Sequence, residues 1–190
     1  FPSDDVDAHR EHEPSEGGFE LLVGDTLAEH APRKDASDRD RIATARDARL
    51  LTAATAAQPA VIDTLRELVL MESGSGNLAG LHRVARYTER RLLALGVATE
   101  QIKATDSDRL LIKGTLTGTG KLRVMLIAHL DTVYPEGVLA TQPFRQDGNK
   151  LYGPGIADDK GGVAVILHSL ALLQALGWRD YAQITVLFNP

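Results

Sequence analysis

The apolar positions of this chain change their period as the sequence proceeds. Before Arg49 polar and charged residues dominate, and Phe19 to Val23 is a lone short apolar run, able to dock but too brief to say where. From Pro59 the pattern turns helical. Val61, Ile62, Leu65, Leu68 and Val69 fall at helical spacing, which predicts a first amphipathic helix from Pro59 to about Met71, proline being favoured at the first helical position. Ser73-Gly74-Ser75-Gly76-Asn77 ends it and, as chemistry, reads only as a turn. A second helix is expected over Leu78 to Leu95, with Leu81, Val84, Ala85, Tyr87, Leu92 and Leu95 as its apolar stripe and Gly96 as its stop. Arg83, Arg86, Arg90 and Arg91 read as its solvated face rather than a phosphate patch.

Beyond Gly96 strands follow. Val97 to Ala104 and Arg109 to Leu116 are predicted strands joined by Thr105-Asp106-Ser107-Asp108, which lacks the further ligands of a calcium loop. Thr117-Gly118-Thr119-Gly120 turns the chain into a central strand, Leu122 to Ala128, which runs out on His129, Leu130 and Asp131. Side chains alternate along a strand, so His129 and Asp131 share one side at its C-terminal end while Leu130 turns into the core. Thr132 to Phe144, with Pro135, Gly137 and Pro143, reads as a loop over that end, and Tyr134 and Arg145 are candidate substrate contacts. Asp147-Gly148-Asn149 marks a hairpin turn before Lys150 to Tyr152. Gly162 to Leu176 is apolar nearly all round and is expected as a core helix, shorter than the roughly 20 residues of a membrane span. Ala182 to Phe188 is a further central strand, whose C-terminal end arrives beside His129 if the sheet is parallel there. These elements predict an α/β fold, a three-layer α/β/α sandwich around a mixed sheet.

Chemistry concentrates at two places. His129 and Asp131 sit at the mouth of the sheet, where open α/β sheets bind ligands. Some 27 residues after Asp131 comes Asp158, within Gly153-Pro154-Gly155-Ile156-Ala157-Asp158-Asp159-Lys160-Gly161-Gly162, which leads directly into the core helix. One acid there suffices as a helix cap. Two acids flanked by four glycines exceed what capping requires. A neutral imidazole from a strand end and a carboxylate from a loop suit zinc, with Asp131 available to fix the tautomer of His129. His168 lies ~15 Å along the helix from Asp158, at 1.5 Å per residue, and is given no metal role. Lys160 is expected to contact solvent or a neighbouring carboxylate.

Composition narrows the options. The chain has no cysteine, so a metal must be held by histidine and carboxylates. The balance of 26 acids against 21 bases argues against nucleic acid as a partner, and no apolar segment suggests a membrane. Residues 1–49 hold 13 acids and 7 bases, net −6, which leaves 13 acids and 14 bases for the rest. Residues 1–48 are therefore read as an acidic, disordered segment, with His9, His12 and His30 as part of a solvated tail, and order is expected near Arg49. No secretory signal is visible. A chain that opens on Phe1 and stops at a strand terminus is expected to be a fragment.

His-Leu-Asp-Thr-Val-Tyr from His129, Pro-Phe-Arg from Pro143, Tyr-Gly-Pro-Gly-Ile-Ala-Asp-Asp-Lys-Gly-Gly from Tyr152 and Ile-Thr-Val-Leu-Phe-Asn from Ile184 together resemble the zinc-dependent exopeptidase family of glutamate carboxypeptidase, aminoacylase and diaminopimelate desuccinylase. The likeness extends from about Leu50 to Pro190 and is nearest to the glutamate carboxypeptidase branch. The resemblance implies residues 49–190 as the N-terminal half of a metallopeptidase catalytic domain. It implies His129 as a terminal ligand of one zinc, Asp158 as the carboxylate bridging two zinc ions, and Asp131 as the catalytic aspartate that buttresses His129. Asp159 follows across a peptide bond that the family often holds in cis. The family's Glu-Glu pair, which supplies the general base and another ligand, is expected beyond Pro190, and so is the lid or dimerisation domain through which a homodimer forms. The implied activity is release of C-terminal glutamate, or a similar amino acid, from a small peptide or N-acyl amino acid, with the fragment alone inactive. The same motif also serves aminoacylases and deacylases, and a non-catalytic binding module on this scaffold is the reading outside enzymes.

Overall fold

A computed structural model of the chain describes Leu21–Leu22, residues 38–105 and residues 107–190, with side chains from residue 48 on. Apart from Leu21–Leu22 and the helix from Asp38, the segment read as disordered lies outside the described residues, and so do His9, His12, His30 and Asp106. Leu21–Leu22 forms a short strand, β1. It adds to the hairpin of β5 (Arg145–Asp147) and β6 (Lys150–Tyr152), with Leu21 opposite Leu151 and Leu22 opposite Lys150. Two residues of the isolated apolar run thus find their docking place.

The first helix, α1, spans Asp38–Val69, so it begins well before Pro59 and contains it. Proline removes one backbone donor and disfavours a helix interior. Here it is offset by the run Ala53-Ala54-Thr55-Ala56-Ala57, made mostly of the best helix former, on an exposed stretch. Helix α2, Leu78–Ala94, begins where Asn77 accepts a hydrogen bond from Gly80 N at 2.8 Å and is followed by Gly96 in the left-handed region. Leu81, Val84, Ala85 and Leu92 are buried as its stripe predicts, and Thr88 joins them. Arg91 departs from the expected solvated face: it is half-buried and donates to Thr64 Oγ1 at 3.0 Å and to the Tyr87 hydroxyl. Thr64 Oγ1 is also 2.8 Å from His168 Nε2 on α3 (Gly161–Ala175), so this network joins all three helices.

The main sheet comprises β2 (Ala98–Lys103), β3 (Leu110–Thr117), β4 (Arg123–His129) and β7 (Gln183–Asn189), in the order β2-β3-β7-β4. It is mixed, as expected: β7 runs antiparallel to β3 and parallel to β4, with Asn189 opposite His129. Its two faces differ. Ile112, Leu116, Ala128, Ile184, Val186 and Phe188 are buried on the helical side, sharing one core with Leu65 and Leu68 of α1, Val84 and Leu92 of α2, and Val163, Leu167 and Leu170 of α3. Each such large apolar side chain contributes about 1.5–3 kcal/mol by leaving water. On the other face Met125 and Ile127 are each 58% exposed, and the described residues form no second helical layer over them.

One expectation needs correcting here. The unbroken apolar run Val124 to Ala128 predicts a central strand. Among the described residues β4 is at the sheet edge, since the later strand β7 enters between it and β3. A continuous apolar run reports apolar faces, not the number of paired neighbours.

Candidate active site

The parallel pair β4 and β7 sets the site. Leu130 N donates to Asn189 O at 2.7 Å, extending the pairing one residue past β4, and Leu130 is buried. Alternation then turns His129 and Asp131 to the same side. His129 Nδ1 stands 3.1 Å from Asp131 Oδ1 and equally 3.1 Å from the Asp131 carbonyl oxygen.

The second contribution comes from the turn Ile156–Lys160, a π-helical turn whose Asp158 and Asp159 leave helical backbone geometry and are joined by a cis peptide bond. Gly155 enters the turn at φ +71°, in the left-handed region, where a Cβ would also sit 2.5 Å from Thr132 Cγ2. The Asp158 carboxylate meets the imidazole: Oδ1 is 2.8 Å from His129 Nε2. The two groups that had to converge for one ion to touch both do face each other. Burial draws the His129 pKa down, but the carboxylates of Asp158 and Asp131 outweigh it, and the imidazole is held above the ordinary histidine value.

Asp159 takes the capping role. Its Oδ1 accepts from Gly162 N at 3.1 Å, at the start of α3. A Cβ at position 162 would lie 2.1 Å from that same oxygen, so glycine permits the approach. Burial raises the Asp159 carboxyl above its ordinary pKa, against the opposing pull of His129 and the backbone hydrogen bonds.

Lys160 corrects a further expectation. It is 2% exposed, and its Nζ donates to Met71 O, just past α1, at 2.9 Å, not to solvent or a carboxylate. Burial lowers its pKa to about 8, with Glu72 pulling the other way. Arg145 lies over the Tyr152 ring, 3.5 Å from its centroid, within its own hairpin, and Tyr134 is half-buried three residues beyond Asp131.

The segment read only as a turn holds these parts together. Ser73 Oγ, buried, donates to Leu130 O at 2.7 Å, and Ser75 Oγ donates to Asp131 Oδ2 at 2.7 Å. The Glu72 carboxylate accepts from Gly137 N at 2.8 Å and Leu139 N at 3.0 Å, bracing the loop after Asp131, and those backbone donors lower its pKa. No periodic signal in the sequence marks these contacts.

Whether a metal fits can be judged from the donors. Two tetrahedral zinc bonds of about 2.0–2.1 Å place their donor atoms about 3.3 Å apart. The pair His129 Nε2 and Asp158 Oδ1, at 2.8 Å, is at hydrogen-bond distance and needs to open by roughly half an ångström to hold one ion between them. The donor types suit zinc, and with Nδ1 engaged by Asp131 the ring atom left to meet an ion would be Nε2. Among the described residues no group of three or more His, Cys, Asp or Glu is gathered to hold a metal. The described residues therefore bring together two candidate donors, His129 and Asp158.

The sequence pattern of peptidase family M20/M25/M40 matches residues 125–190. Carboxypeptidase G2 of Pseudomonas sp. (strain RS-16) is 48% identical over 151 residues, covering 78% of this chain and 36% of that protein. Human carnosine dipeptidase 1 has a similar fold, with a TM-score of 0.64 at 22% identity over 74% of this chain and 33% of that one. A metallo-carboxypeptidase of the M20 family from Sulfolobus solfataricus gives a TM-score of 0.59 at 18% identity over 68% of this chain and 30% of that one. These two structural likenesses concern the fold alone. The chain spans about a third of the length of these relatives.

Proposed function

Because the chain belongs to peptidase family M20/M25/M40, matched over residues 125–190, we propose that it forms part of a zinc-dependent carboxypeptidase with two metal ions. The bond cleaved is an amide next to a free carboxylate, and the amino acid released is glutamate or one like it. The observation that carries this reading is the meeting of His129 Nε2 and Asp158 Oδ1 at 2.8 Å, with Asp131 on the other ring nitrogen.

His129 through Nε2 and Asp158 through its carboxylate would hold the metal. Zinc bound there supplies a water of lowered pKa and a positive charge for the scissile carbonyl. Asp131 accepts the Nδ1 proton of His129, which keeps Nε2 free for ligation and stabilises positive charge on the ring. Asp159 keeps the start of α3 in place behind Asp158. The choice of a glutamate amide follows from the likeness to the carboxypeptidase.

The test uses a protein that carries this chain at the length of its relatives. With zinc it should hydrolyse folate or an N-acyl-glutamate, and His129→Ala or Asp158→Ala should lower kcat/KM by more than about a hundredfold, beyond the roughly 10–100-fold of outer-shell changes. Hydrolysis that survives chelation of zinc refutes the reading. Preference for N-acetyl derivatives of other amino acids moves it to an aminoacylase. The 190 residues alone, with two gathered donors, are predicted to give no turnover.

A further inference from the structure

Asp131 is held from two sides, and one of them comes from the turn between α1 and α2. Ser75 Oγ donates to Asp131 Oδ2 at 2.7 Å, while Oδ1 of the same carboxylate faces His129 Nδ1 at 3.1 Å. The hydroxyl has one other acceptor within reach, Thr132 O at 3.3 Å. The charged and closer carboxylate takes its proton, since a hydrogen bond to an ionised acceptor is the stronger.

The hydroxyl is delivered by a fixed backbone. Ser75 N donates to Thr132 O at 3.0 Å, Thr132 N donates to Ser73 O at 2.9 Å, and Gly74 bridges Thr132 in parallel register. From the other direction Arg109, next to the start of β3, donates through Nη2 to Ser75 O at 2.6 Å. A Cβ on Gly74 would lie 2.3 Å from Tyr134 O, so the turn lies directly against the loop that follows Asp131. Ser75 itself is exposed, so its hydroxyl is not required by the apolar core.

We propose that Ser75 is a positioning residue for the hydrolytic site, setting the plane of the Asp131 carboxylate so that Oδ1 faces His129. This rests on the zinc hydrolase reading for its functional consequence, but not for its geometry. A carboxylate with a single partner turns about its terminal torsion, whose minimum is broad. A second hydrogen bond on the far oxygen removes that freedom. The effect on His129 is graded, because Nδ1 also lies 3.1 Å from the Asp131 carbonyl, which remains when the carboxylate swings.

The experiment compares Ser75→Ala and Ser75→Thr with the parent sequence in the zinc-loaded full-length protein. Ser75→Ala should melt with the parent protein yet lose roughly three- to tenfold in zinc affinity and in kcat, with KM unchanged, below the upper range for groups that touch a ligand directly. Ser75→Thr, which restores the hydroxyl, should recover both. A crystal structure of Ser75→Ala should show the Asp131 carboxylate rotated away from His129 Nδ1. If Asp131 keeps its contact with His129 in that variant, the proposal is overturned, whatever the protein hydrolyses. If the parent sequence shows no zinc-dependent turnover, the hydrolase reading fails instead, and the orientation of Asp131 still decides the role of Ser75.

Discussion

Replacing Lys160 by methionine should change how stability depends on pH. The lysine is 2% exposed, its ammonium donates to Met71 O at 2.9 Å, and burial lowers its pKa from 10.5 to about 8. In the unfolded chain the same amine titrates near its ordinary value. Between about 8 and 10.5 the unfolded state therefore binds more protons than the folded state, and stability rises with pH across that window. The full difference, at 1.36 kcal/mol for each tenfold step, amounts to about 3 kcal/mol. Below about 8 the amine is charged in both states and the burial cost is present in full. Lys160→Met removes that titration but also removes the hydrogen bond to Met71 O, worth about 1.5–3 kcal/mol for a charged donor. The variant should therefore lie near the parent sequence at pH 7 and fall behind it by about 3 kcal/mol more at pH 10.5. Urea unfolding of both proteins at pH 7, 8.5 and 10.5, with chelator present, measures this as a difference of differences in which other titrating groups cancel. Parallel pH profiles for the two proteins would refute the reasoning and show the amine to be solvated.

His168 is held below the ordinary value of 6.5 by burial and then by the Arg91 guanidinium, so its contribution to stability is full above about 6.5 and is lost as pH falls toward its folded pKa. Between pH 7 and pH 5 the parent sequence should lose stability relative to His168→Gln in urea unfolding, and equal losses would show that the imidazole is not sequestered. Gly162→Ala places a Cβ 2.1 Å from Asp159 Oδ1 and should displace that carboxylate from the start of α3, lowering stability by about 1–3 kcal/mol. A thermal melt unchanged from the parent sequence would mean that Asp159 is not anchored there.

What was legible in the sequence was local or repeated. Helix α2 is legible nearly to the residue because its apolar stripe and Gly96 lie within one continuous stretch and agree. The meeting of His129 with Asp158 followed from alternation along β4 and from the resemblance carried by the Gly-Pro-Gly-Ile-Ala-Asp-Asp stretch. The parallel register of β4 and β7 was stated as a condition and holds. The position of β4 was not legible: the order of strands depends on where a segment some 60 residues later inserts, and apolar content is the same at an edge as in the middle. Pro59 misled because a single residue's preference was set against a long helix whose neighbours outweigh it.

The side chains that escape a reading of the sequence share one property: they are polar and hydrogen-bonded, most of them to segments far away in the chain. Arg91 was placed with Arg83, Arg86 and Arg90, yet it stands three positions after Thr88 and seven after Val84, beside the stripe that is buried. That spacing sets it at the edge of the buried face, although arginine by type suits the solvated one. For Glu72, Ser73, Ser75 and Lys160 no such signal existed, since their partners lie between 56 and 89 residues away and hydrogen bonds at that separation leave no period in a sequence. Ser73 and Lys160 are buried and must find a partner, and a hydrogen bond is directional where apolar contact is not, so each of these contacts fixes one segment relative to another. The stretch from Met71 to Ser75 touches the end of β4, the loop after it and the residue following Asp158-Asp159. This one turn thus ties together, by hydrogen bonds, the segments that carry the two donors of the candidate metal site, on top of the apolar core that both segments share.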